Sequence, residues 1–309
     1  LSVAGTATGD TTVCQTANSV TVRLTGNTGT MQWQLATLNG TFANITGATA
    51  STYTVTNLAS STRYRVVVTS GACSADTSNI VTATVSPSAI GGTISGDDTV
   101  CTGTNSTVLN LAGFTGTIAK WQYATSSNFA GAVDIDSSAG LTSYTANNLT
   151  ATTYYRAVLT NGVCIAYSST GTVTVDQVTL GGSITGSKSI CTGLGTTLSL
   201  TGYRGTIQWQ SSIDSVQFFD IAGSTSASIT AANLNTTTFY KAIVTNGTCP
   251  SESSSNTGKI SVDPASVGGR ISGSTTVCAT GNSTVLTLSG NVGTISWQSA
   301  TMTGSFATI

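Results

Sequence analysis

The sequence predicts an all-β protein: a tandem array of antiparallel β-sandwiches with about seven strands each. First, a glycine-containing segment that ends in cysteine recurs at Cys14, Cys101, Cys191 and Cys278, with spacings of 87, 90 and 87 residues. Second, short runs alternate apolar and polar residues, as in Val20-Thr21-Val22-Arg23-Leu24, which is the pattern of half-buried strands. Third, the chain is rich in Thr and Gly, and none of its segments shows a helical period.

Composition excludes several classes of function. Only 7% of the 309 residues are charged, the net charge is -1, and there is no histidine. Ten scattered cations are too few for a nucleic-acid interface, and the lack of histidine removes most zinc sites and His-dependent acid–base catalysis. No apolar run approaches the ~20 residues of a membrane helix. We therefore expect a non-enzymatic protein without catalytic residues, cofactor, metal, nucleic-acid partner or membrane span in this sequence.

Four repeats, called modules below, follow from these landmarks. We place module 1 at residues 1–90, module 2 at 91–180, module 3 at 181–267 and a truncated module 4 at 268–309. Each contains a tryptophan 18 to 20 residues after its first cysteine, namely Trp33, Trp121, Trp209 and Trp297. The first three also contain a tyrosine followed by a second cysteine. Module 4 stops before these landmarks, so we interpret the sequence as a window in a longer array.

The seven cysteines predict disulfides, because one regular pair per module in a His-free, Thr-rich chain is typical of an oxidising exterior. We pair Cys14 with Cys73, Cys101 with Cys164, and Cys191 with Cys249, and expect the partner of Cys278 to lie beyond these residues. Each bond would close a loop of about 60 residues and stabilise its module by roughly 4 kcal/mol on the chain-entropy model.

The tryptophans are predicted to be core residues, because each follows an apolar residue in strand register. The alternative is a set of sugar-binding platforms, and a private site near Phe114 or Tyr203 stays open. Module 2 has one extra residue between Ile118 and Trp121, and a β-bulge at Ala119-Lys120 would keep both side chains inside.

Charged residues are few and suggest no repeated site. Arg65, Arg156 and Lys241 follow the tyrosines and should face outward, where they would discourage edge pairing. The acidic pairs Asp97-Asp98 and Asp134-Asp136 occur only in module 2 and are interpreted as solvated loops. Asp176 and Asp263 are the only carboxylates near the module junctions, too few for a calcium site.

The pattern L-x-x-x-T-x-Y spans the start of each tyrosine strand, as in Leu58 to Tyr64, and resembles the tyrosine corner of immunoglobulin-like and fibronectin type III sandwiches. That resemblance implies that Tyr64, Tyr155 and Tyr240 are core residues. The whole unit resembles the tandem immunoglobulin-like repeats of very large secreted proteins from gliding Bacteroidota-type bacteria. That resemblance implies a cell-surface adhesin or stalk, linked with gliding motility and exported by type IX secretion. Three triplets similar to the O-glycosylation signal of that group make Thr11, Thr99 and Ser215 candidate glycosylation sites.

The sequence thus favours a structural and adhesive segment of a long, filamentous, extracellular bacterial surface protein. Its partners would be other repeats of the same chain, surface glycans or neighbouring filaments. Short junctions, two of them stiffened by Pro87 and Pro264, predict an end-to-end rod in which each module adds roughly 35–45 Å. The alternative is a spacer or glycan-binding array of a secreted polysaccharide-degrading enzyme.

Overall fold

A computed structural model describes residues 1–309, which form 31 strands and no helix. The chain divides into two compact units, Leu1–Asp176 and Gln177–Ile309. The first unit holds modules 1 and 2, and the second holds module 3 and residues 268–309. No helix is long and apolar enough to cross a membrane.

Each complete module contains nine strands, more than the predicted seven, because the larger sheet includes two additional short strands. In module 1 they are β1 (Thr6–Thr8), β2 (Thr11–Cys14), β3 (Ser19–Thr25), β4 (Thr30–Thr37), β5 (Ala43–Asn44), β6 (Thr52–Thr56), β7 (Thr62–Thr69), β8 (Asp76–Thr77) and β9 (Val81–Ser86).

Modules 2 and 3 repeat this order. Module 2 contains β10 (Thr93–Ser95), β11 (Asp98–Cys101), β12 (Ser106–Ala112), β13 (Thr117–Ala124), β14 (Val133–Ile135), β15 (Ser143–Asn147), β16 (Thr153–Asn161), β17 (Cys164–Tyr167) and β18 (Gly171–Asp176). Module 3 contains β19 (Leu180–Thr185), β20 (Lys188–Cys191), β21 (Thr196–Arg204), β22 (Thr206–Ser212), β23 (Phe219–Asp220), β24 (Ser228–Ala231), β25 (Thr238–Thr245), β26 (Glu252–Ser253) and β27 (Gly258–Asp263).

Every complete module is a two-layer sandwich. In module 1 a three-stranded sheet of order β1-β3-β6 faces a six-stranded sheet of order β2-β9-β7-β4-β5, with β8 also paired to β7. The pairing is antiparallel except between β2 and β9, which run parallel, as do β11 and β18, and β20 and β27. The fold is therefore the predicted immunoglobulin-like all-β sandwich, but its larger sheet is mixed rather than purely antiparallel.

Alternation of apolar residues builds one core between the two sheets of each module. In β3 the side chains of Val20, Val22 and Leu24 are buried while the residues between them are exposed. They pack with Trp33 and Tyr64 from the other sheet, and equivalent clusters fill modules 2 and 3. Burial of such side chains, at about 1.5–3 kcal/mol each, supplies the main driving force for folding.

The predicted β-bulge in β13 is confirmed. The register with β16 shifts between Ile118 and Lys120, while the equivalent strands β4 and β22 pair without a shift. Both Ile118 and Trp121 remain buried in the core of module 2. The extra residue is thus absorbed locally, since a regular strand of this length would expose one of the two side chains.

Residues 268–309 contain only two two-stranded sheets, β28 (Arg270–Ser272) with β29 (Thr287–Ser289) and β30 (Gln298–Ser299) with β31 (Ala307–Thr308). They lack counterparts of the central strands that cover the other tryptophans. Trp297 is therefore only half-buried, and its predicted core position is not reached here.

Candidate functional site: the cysteine junction of modules 1 and 2

The end of β2 positions the first cysteine of module 1. Because β2 pairs in parallel with β9, Cys14 lies beside Ser86, where the chain leaves the module. The next residue continues this contact, as the Gln15 amide donates to the Ser86 carbonyl at 3.0 Å. Cys14 therefore lies at the exit end of module 1.

A buried asparagine holds the loop that follows Cys14. Asn18 Nδ2 donates to the carbonyl oxygens of Cys14 and Leu58, both at 2.8 Å, and Asn18 Oδ1 accepts from the Leu58 amide at 2.8 Å. Asn105 makes the same set of bonds to Cys101 and Leu149 in module 2. Asn18 and Asn105 are not among the residues predicted from the sequence, although an asparagine four positions after a repeated cysteine is a visible signal.

The second cysteine of module 2 is the first residue of β17, directly after the turn from β16. Asn161 and Cys164 are paired residues of this hairpin, and Gly162 inside it has a φ of +58°. The turn lies against the linker from module 1: the Cys164 sulfur is 3.5 Å from the Ser86 carbonyl oxygen. A Cβ atom on Gly162 would overlap the Ser86 side chain, so glycine is required both for the backbone angle and for this approach.

A disulfide joins Cys14 to Cys164, with their Cα atoms 5.0 Å apart and a sequence separation of 150 residues. The linkage therefore connects the first cysteine of module 1 to the second cysteine of module 2. This arrangement places a covalent bond beside the peptide linker at the junction, within the usual Cα separation for disulfides.

The predicted pairing within modules is wrong. Cys14 and Cys164 are bonded to each other, so neither the Cys14–Cys73 nor the Cys101–Cys164 pair forms. Cys191 is a free thiol, which excludes its pairing with Cys249, and Cys73 and Cys278 are free as well. Cys101 and Cys249 are each disulfide-bonded.

Strand direction explains this correction. Because β7 runs antiparallel to β9, it begins at Thr62, which pairs with Ala83 in β9, and it runs away from the exit end of module 1 at Ser86 and Cys14. Seven residues later, at Thr69, the strand has run about 23 Å toward the opposite end. Cys73 follows β7, and the two cysteines of one module therefore lie at opposite ends of the sandwich.

The tryptophans have the predicted core role in the three complete modules. Trp33, Trp121 and Trp209 are fully buried, and each indole Nε1 donates to a backbone carbonyl at 2.9 Å, of Ala50, Leu141 and Ser226 respectively. Their polar atom and their ring faces are thus occupied inside the protein, which is incompatible with a sugar platform. Phe114 packs partly against the core of module 2, and Tyr203 is 36% exposed in module 3.

The corner tyrosines are also core residues. Tyr64, Tyr155 and Tyr240 are at most 5% exposed. Burial, with Tyr53 nearby, raises the pKa of Tyr64 to about 12, and burial likewise raises the pKa of Tyr155 and of Tyr240. The threonine two residues before each tyrosine closes the corner; for example, Thr62 Oγ1 donates to the Ser60 carbonyl at 3.0 Å.

The outward cations do not protect sheet edges, which corrects the predicted role. Arg65, Arg156 and Lys241 lie on β7, β16 and β25, which are interior strands of their sheets. Each lies over aromatic rings: Arg65 is 4.1 Å from the Phe42 ring centroid, Arg156 is 4.1 Å from that of Tyr167, and Lys241 is 4.6 Å from that of Phe218. They cover the outer face of the larger sheet by cation–π contact.

The acidic residues serve local structure. Asp97 Oδ1 accepts from the Thr172 amide, and Asp98 accepts from the Thr99 amide and the Thr107 hydroxyl. Asp134 forms an ion pair with Lys120, which lowers the pKa of that carboxyl. Asp136 lies in the turn after β14, and Asp176 and Asp263 end β18 and β27. No three His, Cys, Asp or Glu side chains are grouped closely enough to bind a metal ion.

The three candidate glycosylation residues are all exposed. Thr11 and Thr99 lie on the edge strands β2 and β11, and Ser215 lies in the loop before β23 with a φ of +62°. Their hydroxyl groups are thus open to an enzyme, and their modification stays a prediction.

Fold and junction together define a protein of tandem immunoglobulin-like β-sandwich modules. The chain belongs to the family described as Domain of unknown function (DUF8696), whose model matches residues 3–87, 90–177, 180–264 and 267–309. No curated protein matches it significantly in sequence.

Solved structures with a similar fold come from bacteria and animals. A Ca2+-stabilised adhesin of an Antarctic bacterium that binds ice is 12% identical, over 88% of this chain and 77% of that chain, with a TM-score of 0.34. Extracellular domains 3–5 of Drosophila OTK are 9% identical, over 84% and 96% of the two chains, with a TM-score of 0.37. A marsupial T cell receptor is 14% identical, over 80% and 98%, with a TM-score of 0.43. These similarities concern the fold alone.

Proposed function

We propose that this chain is a structural segment of an extracellular bacterial adhesin, in which disulfides between adjacent modules carry tension. The observation that supports this most strongly is the Cys14–Cys164 bond. Tandem modules of one family and the resemblance of their motifs to surface-adhesin repeats support the same role. Disulfides are also typical of proteins that work in an oxidising, extracellular environment.

The junction bond changes what a pulling force can do. Force applied at the two ends of residues 1–176 passes from Cys14 to Cys164 through the disulfide. The segment between them, with a sequence separation of 150 residues, is then outside the path of the force. At about 3.4 Å per extended residue, roughly 500 Å of chain is protected from extension. Such a limit suits a tether that must hold under shear.

The proposed role is non-catalytic, with other modules of the array as principal partners. Two of the charged side chains illustrate a structural role: Asp98 accepts two hydrogen bonds, and Arg65 covers an aromatic ring. The modules are proposed to follow one another end to end as a rod, in a filament at the surface of a gliding bacterium.

Small-angle scattering of the purified chain tests the rod. Modules of about 35–45 Å stacked end to end give a length near 130 Å and a radius of gyration of about 37 Å. A single globule of this length would have a radius of gyration of about 19 Å, and that value would contradict the rod.

Immunogold electron microscopy of intact source cells tests the adhesin role, with an antibody raised against this chain. Label along fibres at the cell surface is the expected result. Label absent from the surface, with the protein recovered beside a catalytic domain in the secreted fraction, would favour the spacer of a polysaccharide-degrading enzyme. A sedimentation assay with insoluble polysaccharides, and Tyr203→Ala as the matched variant, would detect a private glycan site.

A further inference from the structure

We propose that Cys191 and Cys73 are cysteines of the same two kinds as Cys14 and Cys164, respectively. Each is proposed to form a disulfide with a cysteine of the other kind in another module of this family. Both thiols are free and exposed. This inference concerns how modules are cross-linked, and it stands whether or not the array is adhesive.

Cys191 occupies in module 3 the place that Cys14 occupies in module 1. It ends β20, which pairs in parallel with β27 and sets Cys191 beside Asp263. The Thr192 amide donates to the Asp263 carbonyl at 3.0 Å, as the Gln15 amide donates to that of Ser86. The thiol of Cys191 is therefore presented at the exit end of its module, and its complement is the second cysteine of another module.

Cys73 is a cysteine of the second kind. The turns containing Cys73 and Cys249 have the same local bond, from the cysteine amide to the carbonyl three residues earlier, at 3.1 and 3.0 Å. In module 3 the Cys249 sulfur lies 3.2 Å from the carbonyl of Gln177, in the segment that precedes the module. Cys164 contacts Ser86 in the same way, so second cysteines lie at the entry end of a module.

A buried hydroxyl at the entry end of module 1 supports an unfilled junction there. Ser2 precedes Val3, which bridges to Thr28 as Ile90 bridges to Thr115 in module 2. It corresponds in sequence to Thr179, which precedes the paired residue Leu180 in module 3 and whose hydroxyl accepts from the Asn246 amide in the cysteine turn of that module. Ser2 is 7% exposed and its Oγ has no hydrogen-bond partner. Buried polar atoms are seldom left unpaired, and in module 3, where the cysteine of this turn is disulfide-bonded, the equivalent hydroxyl has its partner.

The bond forms by thiol–disulfide exchange with a disulfide oxidant. The thiolate of one cysteine attacks the oxidant disulfide and releases one reduced thiol. The second cysteine thiolate then attacks the mixed disulfide and releases the other reduced thiol. Two protein thiols lose two electrons and two protons, and the oxidant disulfide gains both as two thiols.

Disulfide mapping of the native protein tests the proposal. The protein is isolated from its source cells, its free thiols are alkylated, and it is digested without reduction for tandem mass spectrometry. The expected spectrum contains a peptide in which Cys73 is joined to the first cysteine of a module, equivalent to Cys14 at the end of β2. It also contains a peptide in which Cys191 is joined to the cysteine of a T-N-G-x-C or T-S-G-x-C segment. The Cys14–Cys164 peptide serves as the internal control.

Recovery of Cys73 and Cys191 as alkylated thiols would overturn the proposal, as would bonds between two cysteines of the same kind or to a low-molecular-weight thiol. Non-reducing electrophoresis separates the two sources of the partner module. A bond within one long chain leaves the mass unchanged on reduction, whereas a bond between chains gives multimers that reduction dissociates.

Discussion

Cys14 at the end of β2 is bonded to Cys164 at the start of β17 in the next module, with 5.0 Å between their Cα atoms. The sulfur of Cys164 also lies 3.5 Å from the carbonyl of Ser86, the last residue of β9. The peptide linker and the disulfide thus run side by side between modules 1 and 2. On the chain-entropy model a loop of this length stabilises the two modules by about 5 kcal/mol.

Gly162→Ala should weaken this junction. The new methyl group would overlap Ser86, and alanine is also strained at a φ of +58°. Gly113→Ala is the matched control, because Gly113 has a φ of +69° but open space around its Cβ position. We expect a loss of about 1 kcal/mol in the control and a larger loss for Gly162→Ala.

The measurements are calorimetric unfolding and the rate at which the Cys14–Cys164 bond forms during refolding in a glutathione buffer. Gly162→Ala should slow bond formation, and adding Ser86→Gly should restore the rate. Equal behaviour of the two alanine variants would show that the approach to Ser86 is unimportant.

Asn18→Ala should destabilise module 1 by about 2–4 kcal/mol in chemical denaturation, because it leaves three backbone groups around Cys14 and Leu58 without their partner. Asn44→Ala is the control: Asn44 is exposed and accepts one bond from Gln34 Nε2 at 2.8 Å, so a change below about 0.5 kcal/mol is expected. Similar losses of stability for both variants would contradict the role of Asn18 in holding the loop that follows Cys14.

The sequence could predict what depends on local pattern. Alternation placed Val22 and Trp33 in the core, and the extra residue before Trp121 predicted the bulge in β13. The disulfide partners could not be predicted in this way, because they depend on strand direction. The parallel pairing of β2 with β9 sets Cys14 at one end of the module, while antiparallel β7 carries the chain to the other end before Cys73.

Equivalent loops of the modules also differ in which groups make their hydrogen bonds, and the repeat pattern of the sequence does not reveal this difference. Gly195 occupies in module 3 the place of Asn18 and Asn105. There the Leu234 amide donates to the Leu194 carbonyl at 3.1 Å instead of to an asparagine side chain. A Cβ at Gly195 would overlap the Ala231 carbonyl, so the backbone itself closes this loop.

Deletion of Ala119 should be tolerated, because it removes the bulge and gives module 2 the regular spacing of modules 1 and 3. We expect the free energy of unfolding to change by less than about 1 kcal/mol. Deletion of Gln208 from the regular strand β22 should instead cost more than about 3 kcal/mol, because it forces Ile207 or Trp209 out of the core. Denaturant titrations compare the two, and equal losses would contradict the register argument.

Stability should be constant from pH 5 to 8 and fall in strong alkali. The chain has no histidine, so no side chain has its ordinary pKa in that range. The pKa of Tyr64 is raised to about 12, above its value of 10 when unfolded. The neutral Tyr64 side chain therefore contributes its full stabilisation of the folded state below pH 10, and this contribution is lost as the pH rises through 12.

Ultraviolet absorbance and thermal unfolding measured across the same pH series check this. The exposed tyrosines should ionise first, and the buried corner tyrosines should ionise only when the protein unfolds. Ionisation of all nine tyrosines near pH 10 without loss of structure would contradict the buried corner.

Single-molecule pulling of the 309-residue chain tests whether a disulfide joins modules 1 and 2, in a Cys101→Ser, Cys249→Ser background that leaves Cys14–Cys164 as the linkage to be measured. Cys14→Ser should release the protected segment and lengthen the fully unfolded chain by about 500 Å, while Cys73→Ser should leave its length unchanged. A gain of about 200 Å from both variants would place the bond inside module 1. That result would contradict a tether whose neighbouring modules are covalently joined.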